Sequence, residues 1–324
     1  SDVGTRPSTA VELLKPYNAR STQTDRRYRE PWMSEQISSR RDHLGAQRID
    51  ENGPGSVLID FEALLGFVED GVRSTGKYHL LPMGRLFELD QRMTKPLCPR
   101  LRRPQQKSFP HVNGLYLLLR ATQLGVPEGQ GKTSGRLVLN AAMQEQWLQL
   151  NPTERYFNLL EAWLRRGSWE ATGLRGGGWM NTVALNARDL WMSIPATGLS
   201  FSKKGRSPGD FLFSAERSCT LALLELFGLM TVGREDPDEG QSWRVTEVLH
   251  TPFGDELLQT VFGEVERELF TNEKPATEFG VWQPVLQPFF PEWVNNLEIA
   301  KPTPCDGIFY FKVSLGKPWR RIAI

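Results

Sequence analysis

The chain has 324 residues and a mass of 36.8 kDa, enough for two or three folding units. Hydrophobic residues at 39% and charged residues at 24% exclude a disordered chain. Lys and Arg total 39 against 38 Asp and Glu, so the net charge of +1 makes no whole-chain case for a polyanion binder. Three cysteines, Cys98, Cys219 and Cys305, stand far apart without a CxxC pair. That excludes a disulfide framework and a cysteine-rich zinc module, and it suits a reducing compartment. The polar, Arg-rich opening reads as no signal peptide, and no apolar run of ~20 residues reads as a membrane span. The expected location is the cytoplasm.

Residues 1–55 read as a basic, polar, flexible arm that ends in Glu51-Asn-Gly-Pro-Gly55. Arg20, Arg26, Arg27, Arg29, Arg40 and Arg41 are its candidates for folding onto a partner or onto the body of the protein. Phe61, Leu64, Leu65 and Val68 repeat at helical spacing, so 57–70 is predicted helical. Gly71–Gly76 reads as a polar turn. Met83, Leu86, Phe87 and Met93 mark a second helix, with Pro82 suited to its first turn. Prolines at 96, 99, 104 and 110 make 95–110 a connector. Val112, Leu115, Tyr116 and Leu119 mark a third helix, Gly129–Gly135 a turn, and Arg136–Asn140 a short strand. Asn151-Pro-Thr-Glu154 is a helix start with an N-cap, a proline at N1 and a capping glutamate at N3. Tyr156, Leu159, Leu160, Trp163 and Leu164 then share one face.

The same order recurs. Residues 180–194 read as a helix and Lys203–Pro208 as a polar loop. Ser214 caps a helix to Phe227, with Gly228 as its stop. Leu229–Val232 and Ser242–Leu249 read as strands around a charged turn, and Thr251-Pro252 opens another helix. Helices followed by a Gly-tipped hairpin are the order of a winged helix. The expected fold is therefore α+β and mostly α-helical, with tandem winged-helix-like units over 56–168 and 169–270. A Pro-rich linker with aromatic anchors Trp282, Phe289, Phe290 and Trp293 fills 271–307. Residues 308–324 alternate as the start of a truncated β domain, a short C-terminal hairpin.

Ile308–Leu315, a short turn, and Lys317-Pro-Trp-Arg-Arg-Ile322 resemble the opening of the plasmid Ri open-reading-frame-three family. The turn lacks one or two residues of that pattern. Thr75-Gly-Lys-Tyr78, Leu101-Arg-Arg-Pro-Gln-Gln-Lys107, His111-Val-Asn-Gly114 and Asn151-Pro-Thr-Glu-Arg155 resemble the region that precedes the domain in longer members. The resemblance implies a bacterial plasmid or mobile-element setting. It implies no reaction and carries over no catalytic residue.

Charge is distributed unevenly. Residues 71–110 hold nine basic side chains, Arg73, Lys77, Arg85, Arg92, Lys95, Arg100, Arg102, Arg103 and Lys107, against Glu88 and Asp90. Residues 215–280 hold fourteen acids against five bases. A basic stripe beside a winged-helix reading element is what phosphate contact requires. The bland alternatives are a stripe docked on the acidic segment, within one chain or between copies, and a solvated surface. Lys132 would touch phosphate from a wing, and Lys203, Lys204 and Arg206 form a weaker patch. Gly129–Gly135 fails as a phosphate loop, since position 126 is Val and the order is helix then strand. Gly176–Gly178 reads as a bend, and the acidic turn Glu235–Glu239 as a solvated tip. His43, His79, His111 and His250 do not pair at metal spacing, and Cys219 reads as a buried, inert thiol. A hydrolase or nuclease would need a carboxylate cluster that no spacing here displays. The reading is a non-enzymatic nucleic-acid-binding or regulatory protein without metal or cofactor, DNA being the expected partner. The alternative is a protein-interaction scaffold in a plasmid-maintenance or defence assembly.

Overall fold

The computed structural model describes residues 44–129, 134–174, 183–201, 211–212, 214–271 and 278–299. Helix α1 (Val57–Val68) turns Phe61, Leu64, Leu65 and Val68 inward as their spacing requires. Ser56 Oγ donates to Asp60 Oδ2 at 2.7 Å across its first turn. Strand β1 (Val72–Thr75) follows, then α2 (Met83–Asp90), which begins directly after Pro82. Next come α3 (Pro110–Ala121) and the hairpin β2 (Gly125–Glu128) and β3 (Ser134–Leu139). Helices α4 (Ala141–Gln149) and α5 (Pro152–Glu161) close this half, and Ala162–Arg166 continues α5 as a wider π-type turn. Asn151 and Glu154 form the expected reciprocal capping box.

The second half runs α6 (Val183–Met192), β4 (Leu199–Ser200), α7 (Ala215–Leu226), β5 (Met230–Glu235), β6 (Arg244–His250) and α8 (Pro252–Thr271). A short helix α9 (Gln283–Leu286) lies in the carboxyl-terminal segment. Ser214 caps α7 by accepting from the Arg217 amide. The other end of α7 closes on Gly228 at φ +70°, with Gly228 N–H donating to Glu225 O and Leu229 N–H to Leu224 O. That bond pair is a Schellman stop, and only glycine takes its φ without strain.

Each half carries a three-stranded antiparallel sheet, ordered β1-β3-β2 and β4-β6-β5. In both, the first strand pairs with the third rather than with its chain neighbour. Gly71–Gly76, expected as a plain turn, therefore contains β1. Four residues show no alternation of their own, and the pairing of Val72 with Leu137 and Arg73 with Arg136 makes the strand. The chain is thus α+β and mostly helical.

One hydrophobic core runs from Leu44 to Leu297 and crosses the boundaries expected at 55, 168 and 270. Phe61, Leu65, Leu86, Leu115, Leu119, Leu137 and Leu160 are all buried, as their periodicity predicts. Part of the expected arm belongs to this body, because Leu44 and Ile49 are buried and the Leu44 amide donates to Glu256 Oε2 at 3.1 Å. Residues 1–43 and the resemblance at 308–324 lie outside the described residues. Of the expected linker, 278–299 packs firmly: Trp282, Phe290 and Trp293 are buried, and Trp293 stacks on Phe157 with centroids 4.3 Å apart. Aromatic burial of this size outweighs the chain-breaking effect of the prolines.

Candidate nucleic-acid interface

The basic connector after α2 cannot be helical, since Pro96, Pro99 and Pro104 interrupt it. Its path is set by acids that the sequence does not mark as special. Asp60 Oδ1 accepts from both Thr94 N and Thr94 Oγ1 at 2.6 Å. Asp90 accepts from the Leu97 and Cys98 amides at 3.1 and 2.8 Å. Burial raises the Asp90 pKa, although both amide bonds oppose that shift. Further along, Gln106 Oε1 accepts from Leu81 N, and Gln106 Nε2 donates to Asn113. The connector then meets the β5–β6 turn. Arg100 N–H donates to Gln241 O and its carbonyl accepts from Gly240 N–H, and Ser242 Oγ donates to Ser108 O.

This route sorts the nine cations of 71–110. Arg85 and Arg92 both pair with Glu88 and lie over the Phe67 ring. Lys95 reaches Glu225 at 3.2 Å. Arg73 on β1, Lys77 in the turn after it, and Arg100, Arg102, Arg103 and Lys107 on the connector are exposed. None of these six has an ion pair among the described residues. The arginines at 100–103 lie beside the turn that holds Glu235, Asp236, Asp238 and Glu239. Arg244 engages Glu235 and Asp238 at 3.1 Å each. The basic and acidic segments therefore touch through the Lys95–Glu225 pair and through bonds to the connector backbone, while Arg100, Arg102 and Arg103 are exposed and have no ion pair among the described residues. Lys132, Lys203, Lys204 and Arg206 lie outside the described residues.

Behind the connector sits a buried charge cluster. Glu225 on α7 accepts from Arg234 Nη2 at 2.7 Å and from Lys95, and its other oxygen lies 2.8 Å from His111 Nε2 on α3. Burial alone would raise the Glu225 pKa. The His111 bond and the charges of His111, Arg234 and Lys95 outweigh it and hold the carboxyl below its usual value. His111 also packs edge-on to Trp243 of the β5–β6 turn. These partners are too far apart in the chain for any spacing rule to pair them.

Helix α3 precedes the β2–β3 hairpin, so in the expected winged-helix order it would be the helix that reads bases. Here Arg120 is the one residue of α3 that is not buried. The helix packs along α7, which is itself buried from Cys219 to Leu226. Base readout through α3 would require these helices to separate. Cys219 is fully buried and its thiol is pushed up to about 12 by burial.

The polar face of α5 is the other feature that the periodicity conceals. Glu154, Asn158 and Glu161 lie at helical spacing opposite the apolar face, and all three are buried. Glu154 Oε1 accepts from the Val294 and Asn295 amides, Asn158 Oδ1 from Leu297 N, and Glu161 from the Gly280 and Trp282 amides. A face that looks solvated in sequence thus holds the backbone of 280–297.

Among the described residues no group of three or more His, Cys, Asp or Glu side chains converges to hold a metal, and no helix is long and apolar enough to cross a membrane. Comparison with protein-family models, with curated proteins and with solved structures finds nothing that matches the chain.

Proposed function

We propose that the chain is a non-enzymatic nucleic-acid-binding protein of two fused winged-helix-like units, acting in a bacterial plasmid or mobile-element setting. The winged-helix part of the reading rests on the strand order shared by both sheets, and on the helix before each hairpin. The observation that carries the binding reading is the set of six exposed cations on β1, its turn and the connector that have no ion pair among the described residues. With α3 buried, binding is through phosphate charge rather than base edges. Affinity for duplex DNA should then fall steeply with salt and depend little on sequence. Replacing Arg100, Arg102, Arg103 and Lys107 by Ala should reduce the slope of log affinity on log salt by about 0.9 for each phosphate no longer neutralised. Failure of the wild type to retain duplex DNA at ~50 mM salt would exclude this reading.

A scaffold reading has its own support. The backbone bonds of Arg100 to Gly240 and Gln241 make the connector a structural strap. In that case the quadruple change alters association with a protein partner, or between copies, and no DNA binding is present to lose.

A further inference from the structure

An open cleft of about 310 Å³ lies between the turn after β1, the last turn of α3 and the short helical turn Trp169–Thr172. Lys77, Tyr78, His79, Arg120, Ser168 and Glu170 line it. Its floor is held by a buried phenol. Tyr116 Oη donates to His79 O at 2.7 Å and accepts from Arg120 Nη1 at 3.1 Å. The first bond holds a His79 backbone at φ +56°, a conformation that side-chain-bearing residues seldom adopt. The second orients the guanidinium and uses one of its five donors. Lys77 Nζ stands 4.4 Å from the Tyr78 ring centroid. Lys77, Arg120 and Glu170 have no ion pair among the described residues. Two cations therefore share one small cleft with a hydroxyl, a single carboxylate and His79, whose Nδ1 lies 3.4 Å from Ser74 Oγ.

We propose that this cleft binds one phosphodiester group. Arg120 and Lys77 supply charge-assisted donors, and Ser168 adds a hydroxyl. Arg and Lys against Glu170 leave one net positive charge, which matches the single negative charge of a diester. Glu170 repels any phosphate, and a dianionic monoester about twice as strongly as a diester, which narrows the monoester's advantage at the two cations. The volume is that of a single small ligand rather than a duplex. The diester belongs either to one nucleotide unit of a single strand or to a cyclic mononucleotide. The inference shares Lys77 with the duplex reading, but Arg120, His79, Ser168 and Glu170 lie outside its six cations, and the quadruple change on the connector spares all five.

The test is a titration of the full chain, followed by backbone-amide NMR, with a short thymidine oligonucleotide and separately with cyclic AMP. Saturable shifts at Lys77, His79, Arg120 and Ser168 are expected with at least one of them, and the one that binds identifies the source. Lys77→Ala should weaken binding about tenfold. Glu170→Gln should tighten it severalfold, a gain that misfolding cannot produce. The quadruple change at Arg100, Arg102, Arg103 and Lys107 should leave these shifts in place, so the cleft and the stripe fail separately. The proposal is overturned by silence at these amides with both ligands at millimolar concentration. Weaker binding by Glu170→Gln, or disappearance of the shifts in the quadruple variant, overturns it equally.

Discussion

Gly114 on α3 meets Leu223 on α7 so closely that a Cβ added to Gly114 would stand 2.8 Å from Leu223 Cγ and 3.0 Å from Cδ2. The absence of a side chain at 114 lets these helices bury each other, and that burial keeps α3 away from solvent. The same contact joins the two helices and buries α3.

Gly114→Ala should therefore destabilise the protein. Alanine gains up to about 1 kcal/mol in helix propensity, but overpacking a filled interface costs about 1–3 kcal/mol. The expected net effect is a destabilisation on the order of 1–2 kcal/mol, read from the urea midpoint. Adding Leu223→Ala to Gly114→Ala should make the two changes strongly non-additive. Simple additivity in the double-mutant cycle would show that the pair does not set the helix spacing.

Glu225→Ala should cost about 3–5 kcal/mol, since it strands Arg234 and His111 beside a buried site. Lys95 is 59% exposed on its side chain and should matter little. The Glu225 pKa is lowered from 4.5 in the folded protein. Its stabilisation is thus full above pH 4.5 and lost as pH falls through the lowered folded value. Unfolding free energies below pH 4.5 should drop less steeply in Glu225→Gln than in the wild type.

Glu161 titrates with the opposite sign. Burial raises its pKa from 4.5 to about 7, against the bonds from the Trp282 and Gly280 amides. The folded state then holds the proton more tightly than the unfolded chain. Stability from this group is full below pH 4.5 and lost as pH rises to about 7. The total is on the order of 3 kcal/mol. Glu161→Gln should flatten the stability profile between those limits. An unchanged slope in urea titrations across that range would show that Glu161 does not carry it.

Glu154 serves the helix start and the carboxyl-terminal segment together, since one oxygen accepts from the Asn151 amide and the other from Val294 and Asn295. Asn151→Ala should cost about 1 kcal/mol, the ordinary value of an N-cap. Glu154→Ala should cost more and should also loosen 290–297 from α5. Limited proteolysis should then cut that segment faster in Glu154→Ala than in Asn151→Ala. Asn151 Nδ2 also donates to Glu292 O at 2.9 Å, so equal cutting would mean that the Glu154 bonds hold the segment no more than that single bond does.

The features legible along the chain are local ones. The helical spacing of Phe61, Leu64, Leu65 and Val68, the Asn151–Glu154 box, the Ser214 cap and the Gly228 stop each need only a few neighbouring residues. Physical chemistry within one turn of chain settles them. Partners far away in the chain settle the rest, and only folding brings them together. β1 exists because β3 pairs with it, and four residues carry too little pattern to announce a strand. The polar face of α5 is buried because the backbone of 280–297 needs acceptors. The cations of 71–110 look alike in sequence, yet Glu88 and Glu225 engage Arg85, Arg92 and Lys95, while six others have no ion pair among the described residues. Summed charge cannot separate those groups, because an ion pair is a matter of ångströms. Helical periodicity marks α3 as apolar, and only the approach of Leu223 to Gly114 shows what covers it.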